Sequence, residues 1–290
     1  MFILHYLSIV DINRAIIFIG VLCAGAFTFS CAKIENFTEI GTPRYSGSFA
    51  PTSSTNPEEI KIVSFNIEFA MKIDEAIEEL ESSDNLKNAD FILLQEMDEV
   101  GTDAIAQALE YNYVYYPSIR NLDDQLFGLA ILSKWPLSDD EKILLPHEAI
   151  NERRRIAISA NALVGDQTVR LYNIHTATFT LPKSERRDQF EAPIAHLNRL
   201  EETEAITHTI IAGDFNTDKS NDIDYLVNLY GSEGFIWASE EIGPTFQILS
   251  GIKSFTLDHA FTRGFDLIDA GKNQETIASD HLPNWLRLRY

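Results

Sequence analysis

Beyond Ala32 the chain contains no cysteine; its two thiols, Cys23 and Cys31, both fall in the first 31 residues. The body therefore forms no disulfide and offers no thiolate, so any metal it holds is ligated by oxygen or imidazole. Positive charge is also scarce. Of 290 residues 23 are Lys or Arg against 44 Asp or Glu, a formal net charge of −21. Three basic and five acidic residues precede Ile60, which leaves 20 basic and 39 acidic from there on, a net of −19. So acidic a surface repels polyanions and argues against tight nonspecific nucleic-acid binding. It does not exclude a nuclease, because a bound cation supplies positive charge at the site itself. Apolar residues are present in quantity: 45% hydrophobic and 11% aromatic content is ample for a packed core, which we read as one domain.

The uncharged apolar run Ala15–Ser30 follows Arg14 and is shorter than the roughly 20 residues of a spanning helix. It has the character of a secretory leader. Its end, Thr28-Phe29-Ser30-Cys31, resembles a loose bacterial lipoprotein cleavage box, in which Cys31 becomes the lipidated first residue. Phe29 and Asp11 depart from that pattern, and an uncleaved anchoring helix is the alternative. The expected location is extracytoplasmic, with the protein anchored to a membrane through Cys31. Residues 32–59 hold Gly41-Thr42-Pro43, Ser46-Gly47-Ser48 and the stretch from Pro51 to Pro57, turn-forming composition without periodicity. They read as a flexible tether between the leader, 1–31, and a domain spanning 60–290.

From Ile60 onward, runs rich in Val, Ile, Phe and Tyr alternate with amphipathic stretches. Strands are expected over 60–67, 91–95, 113–116, 129–132, 156–163, 169–174, 209–212, 256–261 and 285–288, and helices over 73–80, 103–109, 185–200 and 223–229. Several strands arrive in pairs with no helix between them, which disfavours a purely parallel sheet. The expected class is α/β (α+β), two mixed sheets packed face to face with helices outside.

Four apolar runs end in residues that handle phosphate and divalent metal. They are Val63-Ser64-Phe65-Asn66, Ile92-Leu93-Leu94-Gln95-Glu96, Ile210-Ile211-Ala212-Gly213-Asp214-Phe215-Asn216, and Ser279-Asp280-His281 before Leu282. Buried strands read as continuous apolar runs, so polar residues at their tips can converge on one pocket. Glu96 is the strongest metal candidate, since magnesium takes one or two carboxylates and completes its shell with water and substrate oxygens. Alone, it is better read as a solvated strand end. Asp214 and Asn216 flank Phe215 and point the same way at a side-chain period of two, a carboxylate to orient or deprotonate water and an amide to bind a phosphoryl oxygen. An Asx turn is the bland alternative. Histidine as a residue type titrates near physiological pH, and His281 needs an orienting carboxylate, for which Asp258, an acid inside an apolar strand, is the candidate. His175 closes another apolar run, with Asn173 on its side of the strand. The triplet Arg153-Arg154-Arg155 either turns one member into the site or is a solvated strand start balancing nearby acids, and the two readings are equally supported. His5, His147, His196, His208 and His259 are read as structural.

These residues together resemble the endonuclease/exonuclease/phosphatase superfamily. The resemblance runs in order through Ser64-Phe65-Asn66-Ile67, Leu94-Gln95-Glu96, the stretch from Phe127 to Lys134, Tyr172-Asn173-Ile174-His175, Gly213-Asp214-Phe215-Asn216, Leu257-Asp258-His259-Ala260-Phe261 and Ser279-Asp280-His281-Leu282-Pro283. It implies a four-layer α/β sandwich and Mg- or Mn-dependent cleavage of a P–O bond by in-line attack of water. By this resemblance Glu96 holds the metal, with Asn66 and Asp280 in support. Asp214 positions the water, Asn216 and His175 bind the phosphoryl group, and the Asp258–His281 pair completes the acid/base machinery. Leu129 stands where many members carry asparagine, and Thr176 where leucine is common. The expected substrate is a small or lipid-linked phosphoester and the expected state a monomer; a secreted deoxyribonuclease-like enzyme and a non-catalytic surface binding protein are the alternatives.

Overall fold

Along residues 59–66, Ile60 and Ile62 face one way and Val63 and Phe65 the other, and all four are buried. The same alternation sends Phe91 and Leu93 to one core and Ile92 and Leu94 to another. Strands apolar on both faces must be covered on both faces, which dictates layers. The computed structural model describes residues 34–52, 55–149, 152–217, 219–248 and 253–290. The leader 1–31, and with it the expected lipid on Cys31, lies outside the described residues.

In chain order the strands are β1 (Glu35–Asn36), β2 (Tyr45–Ser48), β3 (Glu59–Asn66), β4 (Phe91–Met97), β5 (Asn112–Arg120), β6 (Leu126–Ser133), β7 (Leu137–Glu148) and β8 (Arg154–Val164). They continue with β9 (Gln167–His175), β10 (His208–Asp214), β11 (Ile236–Trp237), β12 (Phe246–Ile248), β13 (Lys253–Phe255), β14 (Asp258–Arg263), β15 (Asp266–Lys272) and β16 (Asn284–Arg289). The helices are α1 (Ile73–Ser82), α2 (Glu99–Leu109), α3 (Lys183–Glu201) and α4 (Ser220–Ser232). One sheet has the order β1-β5-β6-β4-β3-β16-β15 with β2 also on β5, and the other β11-β14-β10-β9-β8-β7. Each contains one parallel pair, β3 with β4 and β9 with β10, among antiparallel ones.

Ile62, Leu93, Ile131, Ile158, Leu171 and Ile210 meet between the sheets. Ala76, Leu80 and Ile105 of α1 and α2 cover one outer face, and Phe190, Leu197, Leu226 and Tyr230 of α3 and α4 the other. This is the expected sandwich of two mixed sheets between helices. Asn173 stitches the two sheets together from inside. Its Nδ2 donates to the carbonyls of Leu94 and Ala130, both at 2.8 Å, and its Oδ1 accepts from Gln95 Nε2 at 2.7 Å.

The chain departs from expectation at the sheet edges. β7 and β15 were not expected, because each is an edge strand with one face in solvent and charges such as Asp139, Asp140, Glu141 and Asp269 along it. Residues 35–36 and 45–48, read as tether, pair with β5 instead. The buried Lys142 holds that segment by donating to the carbonyls of Phe37 and Thr42, and Arg44 pairs with Asp140 at 2.6 Å. Two- and four-residue pairings carry no periodicity to read. α2 begins four residues earlier than expected, capped by Asp98, whose Oδ1 accepts from the Gly101 amide at 2.7 Å. No described helix is long and apolar enough to cross a membrane.

Candidate active site

The C-terminal tips of β3, β4, β9 and β10 and the start of β14 lie at one end of the sandwich, around a cleft of about 290 Å³. Its lining includes Glu96, Arg155, His175, Asp214, Asn216, Asp280 and His281. The antiparallel ladder between β4 and β6 shifts register between Gln95 and Met97, and Glu96 has φ +59°. That bulge takes Glu96 out of the pairing and aims it into the cleft. Asn216, φ +49°, turns back after Phe215, which packs in the core. Gly213, φ +143°, lies so close to β9 that a Cβ there would fall 2.1 Å from the Ile174 carbonyl oxygen.

Asp214 is the hub. Its Oδ1 accepts from the Asn216 amide at 2.8 Å and its Oδ2 from Asn66 Nδ2 at 3.1 Å, with His175 Nε2 at 3.5 Å and His281 Nε2 at 3.9 Å. Burial raises its carboxyl well above the ordinary range, opposed by the His281 charge and reinforced by Asp258. His281 Nδ1 lies 2.8 Å from Asp258 Oδ2, which also accepts from Thr245 Oγ1 at 2.5 Å. Burial lowers the imidazole's pKa, but the Asp258 carboxylate and then Asp214 outweigh it and push it up to about 10. His281 is thus a cation at neutral pH. His175 is the opposite case: burial, Arg155 and His281 hold it far below the usual imidazole value. Its 3.7 Å approach to Glu96 Oε1 is therefore the contact of a neutral ring.

Arg155 is the member of the basic triplet that enters the site. Its Nη1 lies 3.1 Å from Nδ1 and 3.2 Å from Nε2 of His175, and its guanidinium sits 5.2 Å from the Phe127 ring centroid. Burial lowers its pKa, resisted by Glu96 and Asp214. Arg154 instead binds Glu148 at 2.6 Å. Burial likewise raises Glu96, opposed by Arg155 and His281, while its Oε2 accepts from the Phe69 amide at 3.1 Å.

The structure brings together every residue expected at the site. Asn66 takes a different posture from the expected metal ligand: its Oδ1 accepts from the Glu68 amide at 3.1 Å, and its Nδ2 faces the carboxylates. Asp280 stands exposed at the rim. Asn216 donates to the Thr176 carbonyl at 3.0 Å, and Thr176 Oγ1 to the Phe215 carbonyl at 2.7 Å. The departure at 176 thus ties β9 to the Asp214 loop. Leu129, by contrast, lies in the core between the sheets, paired with Gln95. Thr245 and the aromatic wall of Phe69, Phe179, Phe246 and Phe255 were missed, since nothing in their local sequence marks a pocket. Ser279, quoted only as part of a motif, donates Oγ–H to the Asn66 carbonyl at 2.7 Å and accepts from the His281 amide at 3.1 Å. His196 and His259 are buried structural residues, bonded to Tyr172 and Thr217.

Glu68, Glu96, Asp214 and Asp280 line the cleft with Asp258 behind it, against the cations of Arg155 and His281. That surplus of hard oxygen charge fits a divalent cation. Ligand atoms of Asp214, Asp258 and His281 also lie within 4.8 Å of one another. There Asp258 Oδ2 is shared by Thr245 and His281, while its Oδ1 is buried without a hydrogen-bond partner among the described residues.

The profile of the Endonuclease/Exonuclease/phosphatase family matches residues 63–281, well over half of the chain. The chain belongs to that family. The family's fold is also that of its structural neighbours. A mannosyl-6-phosphatase of Bacteroides thetaiotaomicron is 17% identical, with a TM-score of 0.65 over 80% of this chain and 100% of that one. A humanized D. rerio TDP2 is 15% identical, with 0.64 over 81% and 100%. A Leptotrichia buccalis family protein is 19% identical, with 0.63 over 80% and 100%. No curated protein sequence matches.

Proposed function

We propose that the protein is a Mg- or Mn-dependent phosphoesterase that hydrolyses a P–O bond of a small or lipid-linked phosphoester by in-line attack of water. The observation that carries this reading is the convergence of these groups on one cleft: Asp214 Oδ2 lies 3.5 Å from His175 and 3.9 Å from His281, His281 is held by Asp258 at 2.8 Å, and Glu96 lies 3.7 Å from His175. Glu96 would hold the divalent cation, assisted by Asp280, with Asn66 orienting the carboxylates. When bound, that ion supplies Lewis acidity toward the phosphoryl oxygens.

Asp214, fixed by Asn66 and the Asn216 backbone amide, orients the attacking water and accepts its proton as the new bond to phosphorus forms; the P–O bond in line with it breaks, and the leaving oxygen departs with the bonding pair and takes a proton from solvent. Its raised carboxyl makes it a better base than a free aspartate. His281 and Arg155 offset the charge that gathers on the phosphoryl oxygens, and neutral His175 and the Asn216 side chain orient them. The four phenyl rings offer apolar faces to a ring or chain next to the phosphate.

A nucleic acid is the weaker reading. Arg155 is buried, and the rim is acidic at Glu68 and Asp280, so among the described residues no positive stripe leads a backbone to the cleft. The test is turnover of a generic phosphomonoester and phosphodiester with magnesium, with chelator, and beside plasmid DNA. Metal-dependent ester hydrolysis without nicking is expected. Nicking at comparable rates selects the nuclease, and no turnover of any substrate with metal bound sinks the enzyme.

A further inference from the structure

Exposed apolar side chains gather at the cleft end of the sandwich. Phe69 and Phe179 line its mouth while 38% and 73% exposed. Met71 is 59% exposed two residues on, and the next residue, Lys72, donates from Nζ to the carbonyl of Ile277, itself 71% exposed, at 2.7 Å. Leu122, 61% exposed, belongs to the turn whose Gln125 side chain donates to the Phe69 carbonyl at 3.1 Å. Single exposed apolar residues need no explanation, but five on adjoining loops around one mouth form a surface adapted to an apolar partner.

The chain itself points to which partner. The described residues begin at Ile34, and β1 pairs with Ile119 and Arg120, at the cleft end of β5. There Asn36 donates to the Glu152 carbonyl at 2.6 Å and accepts from the Arg154 amide at 2.8 Å, beside Arg155. Only residues 31–33 separate Ile34 from the apolar run Ala15–Ser30. The expected lipid attachment at Cys31 is separated by only three residues of sequence from β1, which lies at the same end as the apolar mouth. Asp123, Asp124 and Asp280 are exposed around that mouth, a sign of charge that anionic lipid repels and zwitterionic lipid tolerates.

We propose that the cleft end is an interfacial surface that seats the domain on a zwitterionic phospholipid layer, presenting the cleft to a phosphoester carried by a membrane amphiphile. The substrate half of this statement rests on the phosphoesterase reading; the docking half does not.

The full-length protein is bound to phosphatidylcholine vesicles with brominated acyl chains, and tryptophan emission is compared among Met71→Trp, Ile277→Trp, Leu163→Trp and Leu267→Trp, each against the unsubstituted protein. Leu163 and Leu267 are exposed at the opposite end. Quenching at 71 and 277 but not at 163 and 267 is the expected result. Equal quenching at both ends, quenching at neither, or binding only to phosphatidylserine vesicles overturns the proposal. In a second arm, Met71→Ser/Leu122→Ser/Ile277→Ser is expected to hydrolyse a soluble ester at the wild-type rate and the same ester displayed on vesicles about tenfold more slowly. Equal rates on both substrates overturn the proposal, as does a dimer that these substitutions dissociate without lipid. A protein that quenches at 71 and 277 yet hydrolyses nothing keeps the surface and loses the phosphoesterase.

Discussion

Replacing Asp258 by asparagine isolates the charge that keeps His281 protonated. The amide keeps the volume and still offers an oxygen to the His281 Nδ1–H, 2.8 Å away, and to Thr245. What disappears is the carboxylate that, with Asp214, overcomes the burial cost and lifts the imidazole to about 10. Without it burial is opposed mainly by Asp214, and the imidazole returns to its ordinary 6.5 or below. At about pH 7.5 a group of that pKa is roughly one-tenth protonated, so a reaction needing cationic His281 loses about tenfold, or about 1.4 kcal/mol in the barrier. The assay is kcat/KM across roughly pH 5 to 10. In the parent enzyme the rise set by Asp214 and the fall set by His281 stand apart, leaving a plateau. In the variant the falling limb moves down by more than three units and the plateau closes to a narrow bell. Stability follows with a definite sign. A histidine whose folded pKa exceeds its free value stabilises fully below about pH 6.5 and loses that contribution as pH climbs through about 10. The variant is therefore most destabilised in the acid and neutral range and least above about pH 10. A uniform fall in rate with an unmoved alkaline limb refutes the reasoning.

Glu96→Gln should abolish calorimetric magnesium binding and cut kcat/KM about 10²- to 10³-fold with the circular-dichroism spectrum unchanged; retained metal affinity would show that Glu96 is not the seat. Asn173→Ala removes the Nδ2 donor from the Leu94 and Ala130 carbonyls and one of the three acceptors of Gln95 Nε2, which should cost about 2–4 kcal/mol and lower the thermal midpoint by about 10 °C, while a shift under about 2 °C would mean the sheets are held otherwise. Gly213→Ala forces a Cβ against the Ile174 carbonyl at a φ that disfavours side chains, so denaturant unfolding should show a loss of about 2 kcal/mol or more, and kcat should fall through the displaced Asp214; unchanged kinetics would separate the two.

Much of the fold was legible because its core strands are apolar on both faces, and nothing but a covered sheet accommodates Ile60–Phe65 or Phe91–Leu94. The edges were not. β7 reads Leu-Ser-Asp-Asp-Glu-Lys, and its strand geometry comes from β8 beside it, a distant partner that no local pattern announces. The segment holding β1 and β2 read as tether for the same reason, its order coming from Lys142, Arg44 and β5. At the site, residue types at apolar strand tips marked Glu96, Asp214, Asn216, His175 and His281. The choice of Arg155 over its two neighbours, and the use of Thr245 to fix Asp258, depend on which way side chains point after the strands pair.

The amino-acid order alone determined which chemical groups stand at the ends of which strands, because hydrophobic runs and the polar residues that close them are local facts. Only the tertiary structure decided that positions 66, 96, 155, 175, 214, 258 and 281 share one cleft. Two parallel pairs, β3 with β4 and β9 with β10, put their tips at one end, and Asn173 locks the sheets in register beneath them. It alone also decided that of two histidines a few ångströms from one carboxylate, one is charged and the other neutral. That difference arises from burial and from the charges each ring faces, neither of which exists until the chain has folded.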